Sequence, residues 1–141
     1  MKAKQFAALP YRLRGNVVEI LLITTRKKRR WSVPKGWPIK RRSPQATAST
    51  EAFEEAGVLG SIGNKQIGQF RKIRIRNNQP VLCEVSIYPL RVNIEQNEWP
   101  EKYDRNRIWL DSNEAAKLVK KPGLKRAIKN LRKSTPRQAA S

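Results

Sequence analysis

Histidine is absent from the chain, cysteine occurs once, and only 11 acidic residues stand against 31 lysines and arginines. Without an imidazole, zinc sites of the ordinary kind and histidine-based triads are excluded. The single thiol, Cys83, forms no intrachain disulfide. It falls inside the alternating run "PVLCEVSIYPL" and reads as a small buried side chain on a strand, with no base at hand to make it a nucleophile. Long apolar runs are missing as well. The longest, "VVEILLI" at 17–23, is too short to span a bilayer, and "FAALP" is too short for the core of a signal peptide. A cytoplasmic protein without a membrane span is the expectation.

What the chain does have is cation. Its 141 residues carry a net charge of +20, which favours a polyanionic partner: phosphorylated small molecules, nucleic acid or an anionic membrane surface. That length fits one domain with a real core, expected over residues 1–133, followed by a flexible basic tail at 134–141.

Two β-like runs, "FAALPYRL" and "VVEILLITT", flank Gly15-Asn16 and read as an antiparallel pair. "WSVPKGW" is a short broken strand. Ser43 as N-cap and Pro44 in the first turn then open a helix that runs to about Ala56 and ends at Gly57. A step of 100° per residue gathers Ala48, Ala52, Phe53 and Ala56 on the side to bury and puts Thr47, Glu51, Glu54 and Glu55 opposite. Further on, "QIGQFRKIRIR", "PVLCEVSIYPLRV" and "RIWL" read as strands, and a helical region from Ser112 is interrupted at Pro122-Gly123 and resumes through Leu131. Strands, helix, strands, helix make an α+β fold, a mixed sheet with helices packed on its faces.

The acidic helix side is the anomaly. Like charges three or four positions apart repel by a few tenths of a kcal/mol, and carboxylates in a last turn oppose the helix dipole at about 0.3–1 kcal/mol each. A divalent cation reverses the sign of that interaction, because Mg²⁺ is commonly held by a few carboxylates together with substrate phosphates. The plain alternative is a solvated acidic face.

Gly36 and "TEAFEEAGV" at 50–58 resemble the Nudix box: Gly, five residues, Glu, seven residues, Arg-Glu, an aliphatic residue, any residue, Glu-Glu, any residue, Gly, an aliphatic residue. Gly36, Glu51, Glu54, Glu55, Gly57 and Val58 match, and Ala52 matches weakly. The flanks "WSVPKGW", "GVLGSIG" and "EWPEKYDRNRIWLDSNEAAKLV" resemble the diphosphoinositol polyphosphate phosphohydrolase branch, particularly its bacterial relatives. Arg42 stands where the first glutamate of the box is expected and Thr50 where its arginine is expected. In the family those two positions resemble an ion pair bracing loop against helix, so their joint loss strands no charge.

The resemblance implies a Nudix-type α/β/α sandwich that hydrolyses a phosphoanhydride bond in a highly anionic substrate, of diphosphoinositol polyphosphate or dinucleoside polyphosphate type. It implies Mg²⁺ or Mn²⁺ held by Glu51, Glu54, Glu55 and the Gly36 carbonyl, with one of these glutamates or Glu101 orienting the attacking water. From Arg26 to Arg42 the chain has nine cations and no acid, and "RKIRIR" puts Lys72, Arg74 and Arg76 on one strand face with Ile73 and Ile75 turned to the core. Lys35, Arg41, Lys72, Arg74 and Arg76 are therefore the candidate phosphate contacts. A second basic run, Lys117 to Arg137, reads as a solvated helix face or as a surface for RNA, with stacking from Trp31, Trp37 or Tyr103. The rival to an enzyme is a Nudix-fold protein with weak or no turnover that binds polyanions or RNA.

Overall fold

A turn at Gly15, whose φ of 63° suits a residue without a side chain, folds β1 (Lys2–Arg14) back on β2 (Val17–Thr24) as an antiparallel pair. The computed structural model describes residues 2–135. Two short strands follow, β3 (Trp31–Ser32) on β2 and β4 (Lys35–Gly36) on β1. Beyond the first helical segment come β5 (Val58–Ile62), β6 (Gly68–Arg76), β7 (Gln79–Glu95) and β8 (Arg107–Asp111). β7 is the spine of the sheet. It runs parallel to β1 from Lys2↔Leu82 to Tyr11↔Arg91 and antiparallel to β5 and β6. That parallel register joins segments some eighty positions apart, and local pattern gave no sign of it.

Alternation along β1 and β2 feeds two cores, one on each sheet face. Leu9, Ile20, Leu22, Val85 and Ile87 pack against Ala115 of α2 (Ser112–Leu118) and Leu124, Ile128 and Leu131 of α3 (Pro122–Ser134). Ala8, Leu21, Ile23, Tyr88 and Leu90 meet Ala48 of α1 (Pro44–Glu51) and Ala52 and Ala56 of the π-helical turn Ala52–Ala56. This is the α/β/α sandwich with a mixed sheet. Cys83 is fully buried on β7, as its alternating context requires. α3 extends one residue into the expected tail, and residues 136–141 lie outside those described.

Two expectations are corrected and one alternative is set aside. The helix at 44–56 is not continuous: its last five residues form a π turn, a widened geometry that recurs at functional sites. The side carrying Thr47 and Glu55 is not a solvent face either, since both are buried. The loop before α1 covers it, with the Ile39 N–H donating to Thr47 Oγ1 at 3.4 Å, and residues 99–105 close over the π turn, with the Glu101 N–H donating to the Glu54 carbonyl at 3.0 Å.

Ile73 and Ile75, expected in the core, are 63% and 69% exposed. Their face pairs with Leu82 and Pro80, whereas the buried β7 residues Val81, Cys83 and Val85 lie on the other face, opposite Arg74, Lys72 and Phe70. Alternation separated the two faces, but it assigned the core to the isoleucine face when the core lies on the face of Phe70, Lys72 and Arg74. Replacing both residues, Ile73→Thr with Ile75→Thr, should change unfolding free energy by less than about 0.5 kcal/mol per site in urea titrations. A loss of 2 kcal/mol or more would return them to a core.

Candidate active site

α1 is aimed by its start: the Ser43 hydroxyl accepts from the Ala46 N–H at 3.0 Å and Pro44 occupies the first turn. It is stopped by Gly57 in the left-handed region, φ 69°. Between these caps the helix lays Glu51 against β4. A Cβ built on Gly36 would fall 2.4 Å from Glu51 Cδ and 2.5 Å from Oε1, so only glycine lets the carboxylate rest on this strand. One turn on, Glu55 Oε1 lies 3.4 Å from the Lys35 backbone N–H, and the Glu51 and Glu55 carboxyls hydrogen-bond each other.

Two carboxyls in contact and out of water cannot both ionise cheaply. Burial, reinforced by the Glu51 hydrogen bond, pushes Glu55 up to about 9. Glu51 is raised too, by burial first and by the charges of Glu54 and Glu101. In the absence of a cation the pair shares a proton. Among the described residues no group of three or more Asp, Glu, Cys or His side chains is arranged to hold a metal ion. The structure thus brings Glu51, Glu55 and Gly36 together and leaves Glu54 beside them, half-buried.

Arg105 supplies the countercharge. Its guanidinium lies 3.5 Å from Glu55 Oε1 and 2.9 Å from Glu101 Oε1, and donates to the Thr24 carbonyl at 3.1 Å. Arg26 reaches the same Glu101 oxygen at 2.9 Å. Glu101, a candidate for activating water, is thus engaged by both arginines. Trp99 completes the cover by donating its indole N–H to the Glu55 carbonyl at 3.1 Å. Sequence reading missed Arg105 and Trp99 as site residues, because both approach from a loop more than forty positions away.

Of the cations, Lys35 and Lys72 extend toward each other until their amines come within hydrogen-bonding reach, with Arg74 nearby. Burial lowers Lys35 below its ordinary range. It also lowers Lys72, to about 7, with the Lys35 and Arg74 charges adding to the shift. A desolvated cation pair of this kind is a natural acceptor for phosphate. Arg76 stacks on the Trp37 ring at 4.5 Å. Arg41 is exposed in the turn before α1, with φ 66°, and is not brought to the group.

The two departures from the box face each other: Arg42 Nη1 donates to Thr50 Oγ1 at 3.4 Å. Exchanging them for the usual pair, Arg42→Glu with Thr50→Arg, should couple by about 0.2–1 kcal/mol, the range of a surface ion pair. Urea unfolding of the wild type, both single variants and the double variant measures this. Strictly additive effects would contradict the neighbourhood.

A helix-borne carboxylate pair set against a strand glycine, on an α/β/α sandwich, is the arrangement of Nudix-type pyrophosphohydrolases. No protein-family model matches the chain. It is 30% identical over 128 residues to the Arabidopsis thaliana protein named Nudix hydrolase 18, mitochondrial, covering 85% of this chain and 70% of that one. It is also 30% identical over 118 residues to bovine diphosphoinositol polyphosphate phosphohydrolase 3-beta, covering 82% and 68%. In fold it is similar to the C. elegans Ap4A hydrolase (TM-score 0.65, 17% identity, 93% and 96% covered) and to the Nudix domain of Shewanella oneidensis NrtR complexed with ADP ribose (TM-score 0.69, 12% identity, 94% and 88% covered). The chain belongs to the Nudix hydrolase family and is a Nudix-type pyrophosphohydrolase. Among the described residues no helix is long and apolar enough to cross a membrane. The organelle in the plant relative's name lends no support to a cytoplasmic location.

Proposed function

We propose that this chain hydrolyses a phosphoanhydride bond in a highly anionic substrate of diphosphoinositol polyphosphate or dinucleoside polyphosphate type, with Mg²⁺ or Mn²⁺ as cofactor. The observation that carries the proposal is the contact of Glu51 with Glu55 on the Gly36 strand, beside the Lys35–Lys72 pair. The oxygen donors suit a hard cation: Glu51, Glu55 and the Gly36 carbonyl would hold it, with Glu54 as a further carboxylate beside them. Once bound, such an ion neutralises phosphate oxygens and lowers the pKa of a coordinated water.

The protein's own groups do the rest. Lys35, Lys72 and Arg74 draw the phosphate chain against β4 and β6 by charge, and Arg105, held by Glu101, keeps Glu55 facing the site. Burial of Glu55 and the lysines strengthens each of these interactions. Arg41 and the α3 cations serve as outer electrostatic attraction.

A panel of diphosphoinositol polyphosphates, dinucleoside polyphosphates, nucleoside diphosphate derivatives and 5′-triphosphate RNA, each assayed with and without Mg²⁺, tests the reading. Metal-dependent phosphate release from one of the first two classes is expected. Tight binding with no release from any of them would favour the binding-only protein instead.

A further inference from the structure

Gln5 is 2% exposed and its Oε1 has no hydrogen-bond partner. A buried carboxamide oxygen left unpaired costs its full desolvation, which natural cores rarely tolerate without a reason.

The sheet register shows what lies around it. Ala7 of β1 pairs with Lys35 of β4, while Ala3 of β1 pairs with Cys83 of β7, which pairs with Lys72 of β6. Paired residues share a face, and so do positions two apart on one strand. Gln5 therefore stands midway between the rows from which Lys35 and Lys72 rise. Those two strands are three spacings apart, about 14 Å, and the lysine amines meet over the strip between them. Arg76 and Trp37 close the same strip nearer the hairpin tip. The register thus sets Gln5, Ala3 and Cys83 beneath the two lysines, at the edge of the core that begins with Val85 and Ala7.

None of these cationic donors is hydrogen-bonded to the Gln5 oxygen, and a phosphate chain, all acceptor at neutral pH, would hold them to itself rather than supply the oxygen with a donor. We infer that Gln5 is a substrate-contacting specificity residue: its carboxamide accepts a hydrogen bond from a neutral N–H or O–H that the substrate carries beyond its phosphates, once the anion has drawn the flexible lysines apart. The inference rests on the phosphohydrolase reading for the kind of substrate, and it adds that bare polyphosphate is not the preferred ligand. A nucleobase and a polyol ring both supply such a donor.

The test uses Gln5→Met, close in shape and without the polar atoms. Metal-free protein, which cannot turn over, is titrated calorimetrically with diadenosine tetraphosphate, a diphosphoinositol polyphosphate and inorganic tripolyphosphate. Wild type should prefer at least one of the first two over tripolyphosphate, and Gln5→Met should reduce that preference about tenfold. The ligand that suffers the reduction identifies base or polyol as the source. Because an orphaned polar group disappears, the melting temperature of the ligand-free variant should rise by roughly 2–6 °C.

A fall in melting temperature would mean that the carboxamide is paired within the protein, and the inference fails. An unchanged preference, or a wild type that binds tripolyphosphate as well as the others, overturns it too. Absence of hydrolysis in the wild type would sink the phosphohydrolase reading alone, since these binding and stability readouts do not depend on turnover.

Discussion

Glu51→Gln combined with Glu55→Gln should abolish the rise in melting temperature that Mg²⁺ gives the wild type and lower kcat/KM by on the order of 10³ or more. A ligand that binds only the folded state stabilises it by mass action, so the thermal shift reports the metal site independently of turnover. The magnitude for rate follows from losing electrostatic stabilisation worth 10²–10³ per oriented group. The fold itself should survive, because glutamine has the shape of the protonated glutamate that the metal-free site already contains.

The pH dependence follows from the same pair. Glu55 titrates near 9 in the folded chain against an ordinary 4.5, so its proton stabilises the metal-free protein fully below about 4.5, and this is lost as pH rises through 9. Lys72, held near 7, opposes this: its cost is present below 7 and is relieved toward 10.5. Subtracting the Glu55→Gln profile from the wild-type profile isolates the first effect, which should decline from acid toward pH 9. The Mg²⁺ shift should grow over the same interval, because the cation displaces a proton. A thermal shift that persists in the double variant, or that does not depend on pH, would put the metal elsewhere.

The sequence carried the caps, the period and the charge of this site, because those are local. Ser43-Pro44 and Gly57 bound the helix by chemistry that acts within one turn, and Ala48, Ala52 and Ala56 lie where a 100° step puts them. Gly36 and Glu51 were separable from an ordinary acidic helix only through their spacing in the box. What could not be read depends on cover arriving from afar. Thr47 and Glu55 are buried by the segments around residues 39 and 101, and Ile73 and Ile75 are left exposed because the core lies on the opposite face of β6, with Phe70. Gln5 gave no signal, since a polar residue at a strand start is ordinary until the register puts it beneath two lysines. Arg105 was invisible for the same reason: its partners Glu55 and Thr24 come from two other parts of the chain.

Gly36→Ala should separate stability from function. The backbone at this strand position is open to alanine, which in a strand is favoured over glycine by roughly 0.5–1 kcal/mol. All three atoms nearest the new Cβ, at 2.4, 2.5 and 2.9 Å, belong to the Glu51 side chain. A half-buried glutamate can swing away at little cost, so unfolding free energy should stay within about 1 kcal/mol of wild type. Its carboxylate then leaves Glu55 and the Gly36 carbonyl by more than an ångström, a displacement of the kind that costs about 10² in rate. The expected variant is folded, shows a weakened Mg²⁺ thermal shift, and has a kcat/KM about a hundredfold down. Adding Glu51→Asp removes one methylene from the crowded side chain and should return part of the activity, whereas Glu51→Asp in the wild-type background should only lose it. If Gly36→Ala kept full activity and the full metal response, Glu51 would not work from its seat on β4, and the carboxylate pair would lose its claim to be the catalytic centre.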